Sequence, residues 1–409
     1  MHDDITAAHE AQAREIFFEG IDHFEAQRLD QARACFERCL ALTPGRPSAL
    51  GNLGITLFQL GQQREAIDLL QQATAADSAL REAWGFLGLA HEAEGAWQPA
   101  LDALARSLAL SDRSSTLRFS QGRCLMRLGR SQEALQAFDH AVAIDPAFTA
   151  AWSVRGSLLR EMRQFDAAAQ SFEQAMALGA DPELHAYYLA SVRSGEAAAP
   201  AKPPRRYVEA LFDEYAAEFR GHVVDKLGYR GHEELLRPLI ASGRRFGTAL
   251  DLGCGTGLCA PLLQQCCERI VGVDLSAKML EQAARLGLYH ELVHADLGEF
   301  LAGTEHRADL VVAADVLIYV GEPSSVFASI ARALTPGGVF AFTIELATDG
   351  ADLQLLPSLR FAHSESAVRR LAAQCRLGVE VLRTAPIRFE QTTPVQGLYV
   401  HLRKEPAPS

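Results

Sequence analysis

The sequence predicts an all-α superhelix of stacked helical hairpins followed by an α/β domain built on a parallel sheet with helices on both faces. Three observations carry that prediction. Glycines 20, 54, 88, 122 and 156 recur at a constant interval of 34 residues, and Ala32, Ala66, Ala100, Ala134 and Ala168 keep step with them. From Phe246 onward, short apolar runs alternate with helical patterns, as strands joined by crossover helices do. The first of those runs ends in a glycine-rich turn, Gly253-Cys254-Gly255-Thr256-Gly257.

The two small-residue ladders have a physical reading. Two antiparallel helices that pack closely need one small residue on each, so that their backbones can meet. Phe36, Leu70, Leu104, Phe138 and Phe172 lie one helical turn beyond each ladder alanine and fill the space between hairpins. Trp84 and Trp152 open the first helix of the third and fifth units. Gly61, Gly95 and Gly129 mark the turn inside a hairpin, and Pro44 and Pro146 follow a second helix that cannot continue through them.

This pattern, over residues 13–182, resembles five tetratricopeptide (TPR) repeats. Ser78, Asp112 and Ala180 stand where the family often has proline. Residues 183–194 are expected to form a helix capping the last repeat. The resemblance implies a concave face that includes Phe17, Ile21, Phe24, Ile55, Phe58, Leu89, Phe119, Arg123, Met126, Arg127 and Arg160. An apolar strip beside an arginine cluster suits a protein or peptide partner with an acidic segment, although several of these side chains would also serve as packing within the superhelix. Phe17 and Ile21 occupy two places where a chaperone-tail clamp needs Lys or Asn, so that ligand is not expected.

Composition narrows the class. The chain has 409 residues, enough for two or three domains, and 48% are hydrophobic. No stretch approaches the roughly 18 to 20 apolar residues of a membrane span. Met1-His2-Asp3-Asp4 is acidic where a secretion signal is basic, so a cytoplasmic protein is expected. A formal net charge of −12 without a basic stripe disfavours a nucleic-acid partner. The eight cysteines, Cys35, Cys39, Cys124, Cys254, Cys259, Cys266, Cys267 and Cys375, show no paired metal-ligand spacing, and are read as reduced core residues. His290 and His294 flank a short apolar run and are not expected to hold a metal.

Prolines 200, 203 and 204 break any helix through residues 195–206 and place a linker there. The second part, 207–409, then reads as strands at Thr248–Leu252, Ile270–Val273, Leu292–Val293, Asp309–Ala314 and Val339–Ile344. A helix from about Pro323 to Leu334 precedes a turn at Thr335-Pro336-Gly337-Gly338.

In such a sheet the ligand sits at the carboxyl ends of the strands. Glycines 253, 255 and 257 let backbone approach a ligand closely. Asp274 ends the second strand, where a carboxylate accepts both hydroxyls of a ribose. Those two features alone fit a nicotinamide dinucleotide as well. Leu258 occupies the third glycine place of the dinucleotide fingerprint, Asp251 stands where it would receive an ammonium, and Asp296 where it would accept from an adenine amino group. The set describes a ligand with ammonium, ribose and adenine and no pyrophosphate.

Five motifs spanning residues 248–345 resemble the class I S-adenosylmethionine methyltransferases: Leu250–Gly257, Val271–Ser276, Ala295–Leu297, Ala314–Tyr319 and Leu334–Gly338. The resemblance implies a Rossmann-like, mostly parallel seven-stranded sheet and S-adenosyl-L-methionine as cofactor. It adds Cys254, Leu275, Ser276, Met279, Leu297 and Asp315 to the cofactor-facing candidates, and the preceding Leu211–Phe219 segment adds Tyr215 as a lid residue. Candidate catalytic residues are Asp315 and Tyr319, with Glu322 beside them and His363 from a later segment. No Asp/Asn-Pro-Pro-Tyr motif occurs, which removes the usual mark of amine methylation on adenine or glutamine. Methyl transfer to an unidentified acceptor, with the repeats recruiting substrate or partner, is the first reading. A non-catalytic cofactor-binding scaffold and an NAD-dependent oxidoreductase stay open beside it.

Overall fold

The computed structural model describes residues 2–193, 200–216, 229–347, 350–390 and 393–406. Linker residues 195–199 and Ala217, Glu218 and Phe219 of the segment before the sheet lie outside the described residues. The chain divides into two compact units, Met1–Ala180 and Asp181–Ser409.

The first unit is ten helices paired as five hairpins: α1 (His2–Glu25) with α2 (Leu29–Leu42), α3 (Pro47–Gln59) with α4 (Gln63–Ala76), α5 (Arg81–Ala93) with α6 (Trp97–Leu110), α7 (Ser115–Arg127) with α8 (Ser131–Ile144), and α9 (Thr149–Glu161) with α10 (Phe165–Ala177). Helix α1 begins well before the start of the first repeat at residue 13. The glycine ladder works by contact. A Cβ added at Gly54 would lie 2.7 Å from Leu70, at Gly88 2.6 Å from Leu104, and at Gly122 2.5 Å from Phe138. Each ladder alanine and each large residue one turn later is fully buried, and each large side chain contributes about 1.5–3 kcal/mol of burial.

The hairpin turns need a left-handed residue. Gly61, Gly95 and Gly129 supply it with φ of 80°, 73° and 73°. In the first and fifth repeats the same place falls to Gln27 (φ 58°) and Arg163 (φ 61°), which pay for it in strain.

The second unit opens with α11 (Pro182–Val192), α12 (Arg205–Tyr215) and α13 (Gly231–Ala241). The helix expected to cap the last repeat is α11, and it packs in this second unit. Its Tyr187 is buried, donates to the Leu359 carbonyl at 2.7 Å and lies against the rings of Tyr207 and Phe361. Helix α12 begins at Arg205, inside the expected linker.

The sheet follows: β1 (Phe246–Leu252), α14 (Ala260–Leu263), β2 (Cys267–Asp274), α15 (Ala277–Ala284), β3 (Glu291–His294), α16 (Leu297–Gly303), β4 (Ala308–Ala313), α17 (Ser324–Ala333), β5 (Leu334–Leu346), β6 (Leu353–Leu355), β7 (Phe361–His363), α18 (Glu365–Gln374), β8 (Leu377–Glu390) and β9 (Thr393–Lys404). Strands β3-β2-β1-β4-β5 are parallel neighbours in that order. Strand β9 then pairs antiparallel with β5 and with β8. Five of these are read from the sequence, β8 and β9 are not, and the sheet has nine strands among the described residues where the resemblance implies seven. Strand β9 covers β5 only as far as Glu345; β7 takes over at Glu345 and Leu346 and brings β6 with it. Three-residue strands carry too little periodicity to be read from sequence.

Alternation divides the sheet into two buried faces. Leu250, Leu252, Val271, Val273, Phe340 and Phe342 meet Phe327 and Ile330 of α17 and Val368 and Leu371 of α18. Ala249, Ile270, Leu310, Val312, Val339 and Ala341 meet Leu235, Leu236 and Leu239 of α13 and Leu263 of α14. The turn expected at Thr335–Gly338 is a bulge at the foot of β5, with Gly337 at φ 78°. Asp309 pins it by accepting from Thr335 Oγ1 at 2.7 Å and from the Gly247 and Thr248 amides of β1. No helix of the described residues is long and apolar enough to cross a membrane.

Candidate functional site

Strand β1 has β2 on one side and β4 on the other, so the chain reverses direction across the sheet there. That reversal opens a crevice at the carboxyl ends of β1, β2 and β4. The three loop glycines all have positive φ: 62° at Gly253, 53° at Gly255 and 87° at Gly257. They do different work. A Cβ at Gly253 would collide with Val316 at 2.6 Å and one at Gly257 with Leu286 at 2.7 Å, whereas one at Gly255 would meet nothing within 4 Å. Gly255 therefore presents the open side of the loop. Beside it, Thr256 Oγ1 is buried with no hydrogen-bond partner among the described residues.

Asp274 sits at the rim. Its Oδ2 accepts from the Gly255 amide at 2.8 Å and its Oδ1 from the Ser276 amide at 2.9 Å. A carboxylate has about four acceptor positions, so each oxygen keeps room for another donor. Burial raises its pKa. The neighbouring candidates divide. Leu275 is half-buried, and its carbonyl accepts from His294 Nε2 at 2.8 Å. Ser276 and Met279 are buried, Ser276 capping α15 by accepting from the Met279 amide. Cys254 is buried in the loop. Asp296 caps α16 through Oδ1, which accepts from the Gly298 and Glu299 amides, and Leu297 begins that helix.

Asp251 is 1% exposed. Burial pushes its carboxyl up to about 7, against the pull of the Tyr289 hydroxyl, which donates to Oδ2 at 2.6 Å.

Helix α12 lies over this crevice. Its Asp213 Oδ1 accepts from Ser276 Oγ at 2.5 Å, and its Phe212 ring meets Tyr319 edge-on at 5.2 Å. Tyr215 is half-buried at its end. One helix thus touches both the β2 and the β4 ends of the site.

At the β4 end, Asp315 takes φ 61°, rare for a residue with a side chain. Its amide donates to Thr343 Oγ1 at 2.7 Å. Arg388 of β8 donates through Nη1 to both Asp315 carboxylate oxygens, at 3.2 and 3.3 Å, and through Nη2 to Glu345. Arg360 approaches the same Glu345 at 3.7 Å. Tyr319 is half-buried in a 3₁₀ turn. Glu322 accepts from Ser324, and its own amide donates to Ala201.

His363 is set apart. It is 3% exposed, and its Nε2 meets the Gly321 carbonyl at 3.1 Å. Its Nδ1 has no hydrogen-bond partner among the described residues, and Leu317, Phe327, Phe342 and Val368 line the same small cavity. Burial lowers its pKa, so it rests neutral as a brace beneath the β4 loop. Sequence reasoning passed over Arg388, Glu345, Tyr289 and Asp213.

A family model described as "Methyltransferase domain" matches residues 250–342. Models of the tetratricopeptide repeat match residues 18–79, 53–115 and 87–147. A ubiquinone biosynthesis O-methyltransferase of Thiobacillus denitrificans is 33% identical over 168 residues, which is 37% of this chain and 70% of that protein. This chain belongs to the S-adenosylmethionine-dependent methyltransferases. Other relatives are matched over less of their length. A malonyl-[acyl-carrier protein] O-methyltransferase of Enterobacter lignolyticus is 33% identical over 39% of this chain and 60% of its own. For a dimethylglycine N-methyltransferase of Parasynechococcus marenigrum the figures are 34%, 27% and 41%.

Among solved structures, the N-methyltransferase NodS of Bradyrhizobium japonicum with S-adenosyl-L-homocysteine aligns with 48% of the methyltransferase chain and 97% of its own, at 20% identity and TM-score 0.40. MamA aligns with 39% of the chain and 93% of its own, at 25% identity and TM-score 0.37. The fold class is the one the sequence implied, with TPR hairpins and a mostly parallel sheet.

Proposed function

We propose that the methyltransferase moves a methyl group from S-adenosylmethionine to an oxygen or nitrogen nucleophile that enters at the Asp315–Tyr319 end of the crevice. The observation that carries this reading is Asp274, whose carboxylate bridges the Gly255 and Ser276 amides beside the open face of Gly255. That arrangement fits a ribose, and the orphan hydroxyl of Thr256 offers a donor to a carboxylate or hydroxyl of the same ligand.

When bound, S-adenosylmethionine supplies a methyl already activated on a sulfonium, so the protein's task is alignment and water exclusion. Asp274 would hold the ribose, Asp251 would balance the ammonium, and Asp296 with Leu297 would face the adenine. Helix α12, carrying Phe212 and Tyr215, closes the site against water. Asp315, held in place by the Arg388 guanidinium, is positioned to accept a hydrogen bond from the methyl acceptor and orient it. Tyr319 lies at the same end and is the other group placed to contact the acceptor. The relatives named above include an O-methyltransferase of ubiquinone biosynthesis, one named for a carrier-held malonyl group and one named for dimethylglycine. A small or carrier-held acceptor therefore fits this site.

The TPR concave face is assigned to an acidic peptide segment of a partner or substrate. Arg123 stands over Phe119 and pairs with buried Glu92 at 3.3 Å, and Arg127 stands over Trp97. Cations backed by rings and apolar side chains suit such a segment.

The test is calorimetric titration with S-adenosylmethionine, S-adenosylhomocysteine and NAD. Binding of the first two without NAD is expected. NAD alone binding overturns the assignment, and labelled-methyl transfer to trial acceptors then separates an enzyme from a scaffold.

A further inference from the structure

Tyr289 is the side chain that joins the parts of the donor site from below. It lies between Gly287, at φ 64°, and β3. Its ring fills the space over two glycines: a Cβ at Gly257 would come 3.1 Å from it, and one at Gly272 of β2 2.8 Å. Its hydroxyl donates to Asp251 Oδ2 at 2.6 Å. One residue therefore backs the glycine-rich loop, the second strand and the carboxylate at the end of the first.

Asp251 needs such a neighbour. Among the described residues, the titratable groups that face it are Tyr289, Cys259 at the start of α14, Cys254 in the loop, and Cys267 and Asp274 at the two ends of β2, and none is a cation. A carboxylate buried without a positive partner loses its hydration, and a hydrogen bond to the charged form offsets part of the loss. The Tyr289 phenol is itself raised by burial, so it stays protonated and acts as a donor.

We propose that Tyr289 is a positioning residue of the donor site, holding Asp251 as the anion that the donor's ammonium requires. This rests on the donor-site reading given above. Donor binding and ionisation of Asp251 are then linked: the ammonium favours the carboxylate, and acid that protonates Asp251 weakens binding.

The experiment is titration of the full chain with S-adenosylhomocysteine from about pH 5.5 to about pH 9, for wild type, Tyr289→Phe and Asp251→Asn. In wild type, affinity falls by up to about tenfold per pH unit below a midpoint near 7. Tyr289→Phe keeps the ring and removes the donor. Its midpoint moves up by about one unit, with a loss on the order of tenfold at neutral pH that alkaline buffer restores. Asp251→Asn, which cannot titrate, gives weak binding with a flat profile.

A Tyr289→Phe loss of the same factor at every pH means a purely structural tyrosine and overturns the proposal. So does a wild-type profile that is flat, or one that Asp251→Asn leaves unchanged. Wild type that binds no S-adenosylhomocysteine at any pH sinks the donor-site reading itself, and this inference with it.

Discussion

Arg388 spans Asp315 and Glu345, its Nη1 on the first carboxylate and its Nη2 on the second, with 5% of the side chain exposed. Strand β8 thereby reaches over the carboxyl ends of β4 and β5 and holds a left-handed aspartate in place. Breaking a buried pair from one side leaves its partners uncompensated. Arg388→Met should cost about 3–5 kcal/mol by denaturant unfolding. Arg388→Lys keeps the charge without the fork and should recover only part. A further Glu345→Gln change in the Met variant should restore stability, and additive losses would show that the two residues are not coupled.

Asp274→Ala removes the acceptor of two backbone amides and, in the reading proposed here, of the ribose hydroxyls. S-adenosylhomocysteine affinity should fall on the order of a hundredfold, with the far-ultraviolet spectrum unchanged. Unaltered affinity would remove Asp274 from the donor site.

How much of this was legible in the sequence follows from the range of each interaction. The repeat ladder and the glycine loop are local spacings, so both stand out in one chain. Tyr289 and Asp251 are 38 positions apart, and Arg388 and Asp315 are 73. Pairs that distant exist only once the sheet has ordered its strands, and although Asp251 and Asp315 stand in motifs, their partners Tyr289 and Arg388 lie outside them. His363 shows the converse: a histidine near the family motifs reads as a catalytic candidate, yet the register of β7 turns it into an apolar cavity with its Nε2 on Gly321. Strands β6 and β7 escaped because three residues cannot show a period.

The repeats make opposite predictions at two kinds of glycine position. Gly122→Ala places a methyl 2.5 Å from the Phe138 ring and should destabilise by about 1–3 kcal/mol. Arg163→Gly relieves a left-handed arginine and should stabilise by up to about 1 kcal/mol. Chemical unfolding followed by helical circular dichroism measures both. An Arg163→Gly loss would mean that its side chain contributes more than its backbone costs.

On the repeat face, Arg123→Glu with Arg127→Glu should weaken capture of an acidic partner peptide by tenfold or more, on the order of 1.4 kcal/mol, with the remaining affinity less dependent on salt. S-adenosylhomocysteine affinity should not change. Equal loss of both activities would indicate misfolding and not a lost contact.

Stability against pH should carry the mark of Asp251. An ordinary aspartate titrates near 3.8, whereas burial pushes this one to about 7. Between those values the folded chain keeps a proton that the unfolded chain has released, so this residue adds stability as pH falls from 7 towards 4. Above 7 the carboxylate is charged in both states, and the folded one bears the full cost of burial. Asp251→Asn abolishes that cost and should stabilise the second unit at pH above about 8 by on the order of 2–4 kcal/mol, the gain shrinking through 7 and vanishing near 4. The buried histidines act the other way: burial lowers His363 and His401 from 6.5, so the unfolded chain takes up their protons first and stability is lost as pH falls below 6.5. Because both variants share those histidines, the difference between wild type and Asp251→Asn isolates the carboxyl. A difference that stays constant from acid to alkali would mean that another group carries the proton, and that Asp251 is ionised throughout.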